Sequence, residues 1–393
     1  MIRTLPVLLL AALAAAQNPA SNQPQDAPPD PDALVKSARA AYATGDYPSA
    51  RASLEQAWNL IQTSPPGEQR RYDIPKQLEA VLSAAGEYAK AQEYLEYAIN
   101  WRELNVGTGD PKLAEEWIEM ATLCQRLKDF PRALALLQFA RSRHVTTYGA
   151  ESLPVADDWS RIALVYSADS QPDPAIPPLQ MAIKIREAVL GAEHPAILSE
   201  LDRLGALQLA VRTYPDAEET FRKSLVIRQR LTGPNSADLI SSVEGLAYSQ
   251  FGQKKYDYAE KGYKRLLALW ESSTGQPDHP MIALTLDKIA VFYRAQERWE
   301  EGANAAARAI SVRQMFLANA FKNEAAEAIA RKNSKEAERR LRQALAELDD
   351  SRADQDKLRQ QIEENLKALE AEDKPAPRTP TKSTAKSTAK KQP

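Results

Sequence analysis

The sequence predicts an all-α solenoid of stacked helical hairpins. Three observations predict it: a composition rich in helix formers and poor in glycine, small residues recurring every 42 residues or so, and glycine and proline confined to the intervals between amphipathic segments. The chain has 393 residues, of which 44% are hydrophobic, 26% charged and only 14 glycine. That length holds two ordinary domains or one long repeat array, and the scarcity of glycine favours helix. Most of the 26 prolines fall in the N-terminal linker, in the tail or at helix starts, where a missing N–H costs nothing.

The repeat is read from an aromatic, a small residue three positions later, and another small residue seven beyond that. It runs Tyr47, Ala50, Ala57; Tyr88, Ala91, Ala98; and Phe130, Ala133, Ala140. It weakens at Pro172, Ala175, Ala182. It returns at Tyr214, Ala217, Ser224; Tyr256, Ala259, Leu266; and Trp299, Gly302, Ala309. Successive anchors, from Ala50 to Gly302, lie 41, 42, 42, 42, 42 and 43 residues apart. A second small residue stands 12 positions upstream of the anchor at Ala38, Ala121, Ala163, Gly205, Ala247 and Ala290, with Glu79 the exception. Each period therefore holds two amphipathic helices whose small residues let them approach closely. Gly45-Asp46, Gly86-Glu87 and Lys128-Asp129 mark turns within repeats. Val106–Pro111, Gly149–Pro154, Gly191–Pro195, Gly233–Ser236 and Gly275–Pro280 mark the breaks between them.

An eighth, degenerate unit is expected from Ala325, Ala337 and Ala344, which keep the 12-and-7 spacing. Beyond it, Asp356 to Glu372 carries Leu358, Ile362, Leu366 and Leu369 on one stripe, as a terminal cap requires. A heptad frame through Leu341, Leu345, Leu348, Ile362, Leu366 and Leu369 would instead make a coiled coil. Arg352, Gln355 and Arg359 interrupt that frame, so the capping helix is preferred.

Small residues seven apart with another 12 upstream resemble the tetratricopeptide (TPR) signature. Gly191-Ala192-Glu193-His194-Pro195 leading to Leu204-Gly205, and Gly275 through Asp278-His279-Pro280 leading to Ile289-Ala290, resemble the 42-residue repeats of kinesin light chains. The resemblance implies a right-handed superhelix of TPR hairpins over residues 32–350, with seven clear repeats, a degenerate eighth and a capping helix at 351–373. It also implies that the first helix of each hairpin lines a concave face.

The termini read differently. Arg3 followed by the apolar run Leu5–Ala16, ending in Ala14-Ala15-Ala16-Gln17, reads as a secretory signal peptide over 1–16. An uncleaved apolar helix is the other reading. A Pro-rich linker follows at 17–31 and a basic Lys-Ser-Thr-Ala tail at 374–393, neither with enough apolar surface to order itself. The net charge of −2 hides an asymmetry: setting aside Arg3 and the six cations of the tail leaves the body at −9. The expectation is an exported protein, periplasmic or extracellular.

The residues of chemistry are sparse. One cysteine, Cys124, permits no internal disulfide and is placed on a buried hairpin face. His194 and His279 precede prolines at equivalent repeat boundaries, which suits a structural role. No phosphate loop, nucleophile elbow or metal-ligand spacing occurs, so no catalytic residue, metal or cofactor is expected. The acidic pairs Glu115-Glu116 and Asp157-Asp158 are read as helix-opening charges that suit the dipole.

Function is then expected on the concave face. Positions 14 residues before the anchors give Lys36, Gln77, Glu119, Arg161, Arg203, Gly245 and Lys288, and the next turn adds Arg126, Tyr248, Phe251 and Arg294. Asp202, Glu244 and Asp287 stand in the adjacent column. The first reading is a non-enzymatic scaffold binding a protein or peptide there, with no specific nucleic-acid partner and a monomeric state favoured. The alternative is an envelope-associated structural protein held to anionic polymer or lipid by its tail.

Overall fold

The computed structural model describes residues 29–372, all of it helix, turn and loop. The signal-like segment, most of the linker and the basic tail lie outside these residues. Asp30 caps the first helix, its carboxylate accepting the Asp32 N–H, so Pro31, expected in the linker, is helical. The chain divides into two compact units between Leu136 and Leu137.

In the first unit, α1 (Pro31–Ala43) pairs with α2 (Tyr47–Ile61), and α3 (Arg70–Ala84) with α4 (Tyr88–Asn105). Then come α5 (Lys112–Arg126) and α6 (Phe130–Tyr148), which runs across the division. The expected anchors Ala50, Ala57, Ala91 and Ala98 are wholly buried, and the core around the first of them joins Leu54, Ile61, Ile74 and Leu78.

In the second unit, α7 (Leu153–Ala168) pairs with α8 (Pro172–Leu190) and α9 (Leu198–Ala210) with α10 (Tyr214–Thr232). Next, α11 (Ile240–Gly252) pairs with α12 (Tyr256–Thr274), and α13 (Pro280–Arg294) with α14 (Trp299–Ala330). Finally α15 (Ser334–Ala346) and α16 (Asp356–Glu372) close the unit. Short 3-10 turns at Pro195–Ile197 and Ala237–Leu239 lead into α9 and α11.

Every hairpin turns in one way. A residue of positive φ sits at Gly45, Gly86, Lys128, Ser170, Arg212, Lys254, Glu297 and Lys332. The next N–H donates back to a carbonyl five residues earlier, as from Glu87 to Leu82 and from Thr213 to Gln208, at 2.8 and 2.9 Å. This is the Schellman closure of a helix C-terminus. His194 and His279 are N-caps, each Nδ1 accepting a backbone N–H two residues on, at 3.2 and 3.3 Å. Their expected structural role is thereby located.

The eighth hairpin forms with Ala325, Ala337 and Ala344 buried, but its first helix is not separate. It is the second half of α14, continuous through 32 residues because nothing from Ala303 to Ala330 is glycine or proline. Leu341, Leu348, Leu358, Ile362 and Leu369 join one core with α14, so the leucine stripe is covered within the chain.

One reading is corrected. Glu116 and Asp158 are not dipole charges at a helix start but buried members of polar pairs that recur at the repeat junctions. Eleven residues after successive anchors stand Arg102, His144, Arg186 and Arg228; seventeen residues before the next anchors stand Glu116, Asp158, Glu200 and Ser242. Arg102 Nε meets Glu116 at 2.8 Å, His144 Nδ1 meets Asp158 at 2.7 Å, Arg186 meets Glu200 at 3.2 Å and Arg228 meets Ser242 at 2.7 Å. Each pair ties the second helix of one repeat to the first helix of the next.

Candidate functional site

The site begins with a substitution inside the repeat. Four residues after the anchor the chain places Leu54, Leu95, Leu137 and Leu179, all buried. The same position holds Phe221 in the fifth repeat and Tyr263 in the sixth. An aromatic ring is too long for a leucine site, so it extends between the flanking first helices. Glycine makes room for Phe221: a Cβ on Gly205 or Gly245 would lie 2.5 or 2.4 Å from its ring.

The Phe221 ring thus becomes part of the floor of a cavity of about 590 Å³ along α9, α11 and α13. Its walls are Leu209, Tyr248, Phe251, Tyr263, Leu284 and Val291. Tyr248 on α11 and Leu284 and Val291 on α13 are 45%, 42% and 57% exposed. Phe251 packs on Phe292 with centroids 5.6 Å apart, and Tyr263 meets the same ring at 5.5 Å, which fixes both walls.

One side of the cavity is polar. Asp202, Glu244, Asp287 and Lys288 line it. Asp202 is gripped by both guanidinium nitrogens of Arg228, Glu244 accepts from Lys288, and Asp287 from Arg313. Tyr263 is only 3% exposed, and its hydroxyl has no hydrogen-bond partner among the described residues. Burial, then the nearby Tyr248 and Glu244, push that phenol above its ordinary value, so it stays protonated.

The expected residues are distributed as follows. Tyr248, Phe251 and Lys288 meet in this cavity. Gln77 lines a separate cleft of about 500 Å³ in the first unit, beside Tyr42, Tyr72 and Lys76, and accepts from Arg39 at 3.1 Å. Arg161 lies 3.6 Å from buried Asp158. Lys36, Arg126, Arg203 and Arg294 are exposed and form no ion pair among the described residues. The sequence reading did not single out Phe221, Tyr263, Leu284 or Val291. The legible signal was the aromatic at the leucine position facing Gly205 and Gly245.

Elsewhere chemistry is quiet. Cys124 is buried and its thiol is pushed up by that burial, which makes it unreactive. Among the described residues no cluster of His, Cys, Asp and Glu could hold a metal ion, and no helix is long and apolar enough to cross a membrane.

Comparison with known proteins agrees with this geometry. The tetratricopeptide repeat family model matches residues 160–196, within the fourth repeat and the loop after it. The C-terminal part of a TPR repeat-containing protein from Cytophaga hutchinsonii is similar at a TM-score of 0.52 and 14% identity, covering 71% of this chain and 95% of that one. Kinesin light chain TPR-like repeats from Podosopora anserina match at 0.45 and 20% identity, covering 52% and 97%. BtubC (BKLC) from P. vanneervenii matches at 0.44 and 19% identity, covering 62% and 91%. No curated protein matches the chain significantly. With its buried small-residue anchors and its uniform hairpin turns, the chain is an all-α solenoid of helical hairpins, and its stretch 160–196 matches the tetratricopeptide repeat family.

Proposed function

We propose that this chain is a non-enzymatic interaction scaffold that takes a peptide segment of another protein in the groove along α9, α11 and α13. One observation carries the reading: Tyr248 on α11 and Leu284 and Val291 on α13 stay open on two successive first helices above a floor made by Phe221. Apolar side chains left open over a shaped cavity, beside a few placed polar groups, are what a recognition groove requires. The absence of any catalytic constellation in the sequence supports a binding role over a chemical one.

The proposal extends to export. The positive start, the 12-residue stretch Leu5–Ala16 and the Ala-x-Ala ending support secretion to the periplasm or beyond. Fractionation of the native host, with and without residues 1–16, tests this: the intact chain leaves the cytoplasm and the shortened one stays.

For the groove, Tyr248→Glu with Val291→Glu places two charges on exposed positions and leaves the core alone. Proteins co-purifying with the wild type are lost with the double variant, while circular dichroism and melting stay unchanged. An identical partner set from both proteins overturns the groove reading.

A further inference from the structure

The geometry points to the chemistry of the segment that fills this groove: an arginine or lysine side chain of the partner enters the cavity, its hydrocarbon stem on the rings of Tyr248 and Phe251 and its charged head toward Glu244 and the Tyr263 hydroxyl. This rests on the groove reading above.

The charge of the lining argues for a cation. Three carboxylates and one ammonium line the cavity. The guanidinium groups that balance Asp202 and Asp287 belong to Arg228 on α10 and Arg313 on α14, outside the lining. Lys288 engages only one oxygen of Glu244, and Glu244 Oε2 has no hydrogen-bond partner among the described residues. A free carboxylate oxygen accepts a charged donor more strongly than a neutral one.

The Tyr263 hydroxyl is the second, independent observation. It belongs to a side chain 97% buried that lines the cavity, and it makes no hydrogen bond. The hydroxyl oxygen itself is open to the cavity, where it accepts a ligand donor. The walls complete the fit. A cation over aromatic faces is attracted by the ring quadrupole, most strongly where water is thinned. The stems of arginine and lysine cover apolar surface while the head stays polar. An acidic side chain would meet three carboxylates, and a small neutral one would offer Glu244 no charged donor.

The test uses the full chain and a random peptide library displayed on phage, with selection repeated on Tyr248→Glu to identify peptides that depend on the groove. Groove-dependent peptides are expected to be enriched in arginine or lysine. A synthetic peptide from that set is then compared with its citrulline counterpart, which keeps the shape and removes the charge, by fluorescence polarisation. The arginine peptide binds the wild type about tenfold more tightly, as a charge-assisted contact requires. Glu244→Gln reduces it to the citrulline level, and Tyr263→Phe, which keeps the buried ring, weakens it severalfold.

Equal binding of the two peptides, or an arginine preference that survives Glu244→Gln, overturns the inference. Groove-dependent peptides that are acidic or neutral overturn it too and leave the groove reading standing. A selection yielding no peptide sensitive to Tyr248→Glu overturns the groove reading, and this inference with it.

Discussion

At the residue scale, the groove exists because two leucine positions carry rings. Phe221 is 5% exposed and held between Gly205 and Gly245, where any side chain would strike it. Gly245→Ala therefore destabilises the chain by about 2 kcal/mol through overpacking. Adding Phe221→Leu restores much of that loss by returning the repeat to the form of Leu95 or Leu179. Thermal melts of the single and double variants measure the coupling, and additive losses would contradict the direct contact. Residue chemistry also sets an acid sensitivity. Glu218 is held down to about 2, against burial that raises it, by hydrogen bonds from Lys255, Gln253 and Gln250. Its folded value lies below the unfolded one, so its contribution is present above the unfolded value of 4.5 and fades as pH falls toward 2. The stability gap between wild type and Glu218→Gln narrows over that window, which melts at a series of pH values will show.

At the scale of elements, the hairpins share one turn and the repeat junctions share one kind of buried polar pair. The turn needs a left-handed residue, and glycine supplies it only at Gly45 and Gly86. Arg212, exposed at φ 64°, holds the same conformation with a Cβ in the way. Arg212→Gly is expected to raise stability by a few tenths to about 1 kcal/mol, the relief of left-handed strain less the added chain entropy. Asp158 is wholly buried, burial pushes its carboxyl up, and His144 is its hydrogen-bonded partner at 2.7 Å. His144→Ala leaves that carboxyl without its partner and costs about 3 kcal/mol. Chemical denaturation of the single variant, and of the pair with Asp158→Leu, measures it; the pair recovers stability because the buried acid is gone.

At the scale of the molecule, a repeat array needs an end. In the second unit α16 covers the last hairpin with Leu358, Ile362 and Leu369 in one core with α14 and α15. Ile362 is wholly buried, so Ile362→Asp puts a carboxylate into that core. Because each repeat leans only on its neighbours, the damage stays local. Hydrogen exchange should accelerate in α15 and α16 and leave α9, α11 and α13 protected as before. A uniform loss through the unit would instead show that the cap is coupled to the whole array.

The sequence alone determined the repeat length, the hairpin boundaries, the eighth unit and the capping helix Asp356–Glu372. These follow from local rules: small residues where helices touch, glycine and proline where they stop, and apolar stripes at helical spacing. Tyr248, Phe251 and Lys288, which the sequence places on one face of successive first helices, line the same cavity. Two things only the tertiary structure decided. The acids Glu116 and Asp158 look like ordinary helix-start charges in one dimension, and they are buried because the preceding repeat brings Arg102 and His144 onto them. Phe221 and Tyr263 look like core residues of second helices, and both line the cavity, Phe221 because Gly205 and Gly245 carry no Cβ where its ring lies. Periodicity specifies which residues share a face. What meets across two faces depends on the volume left between them, and packing sets that volume.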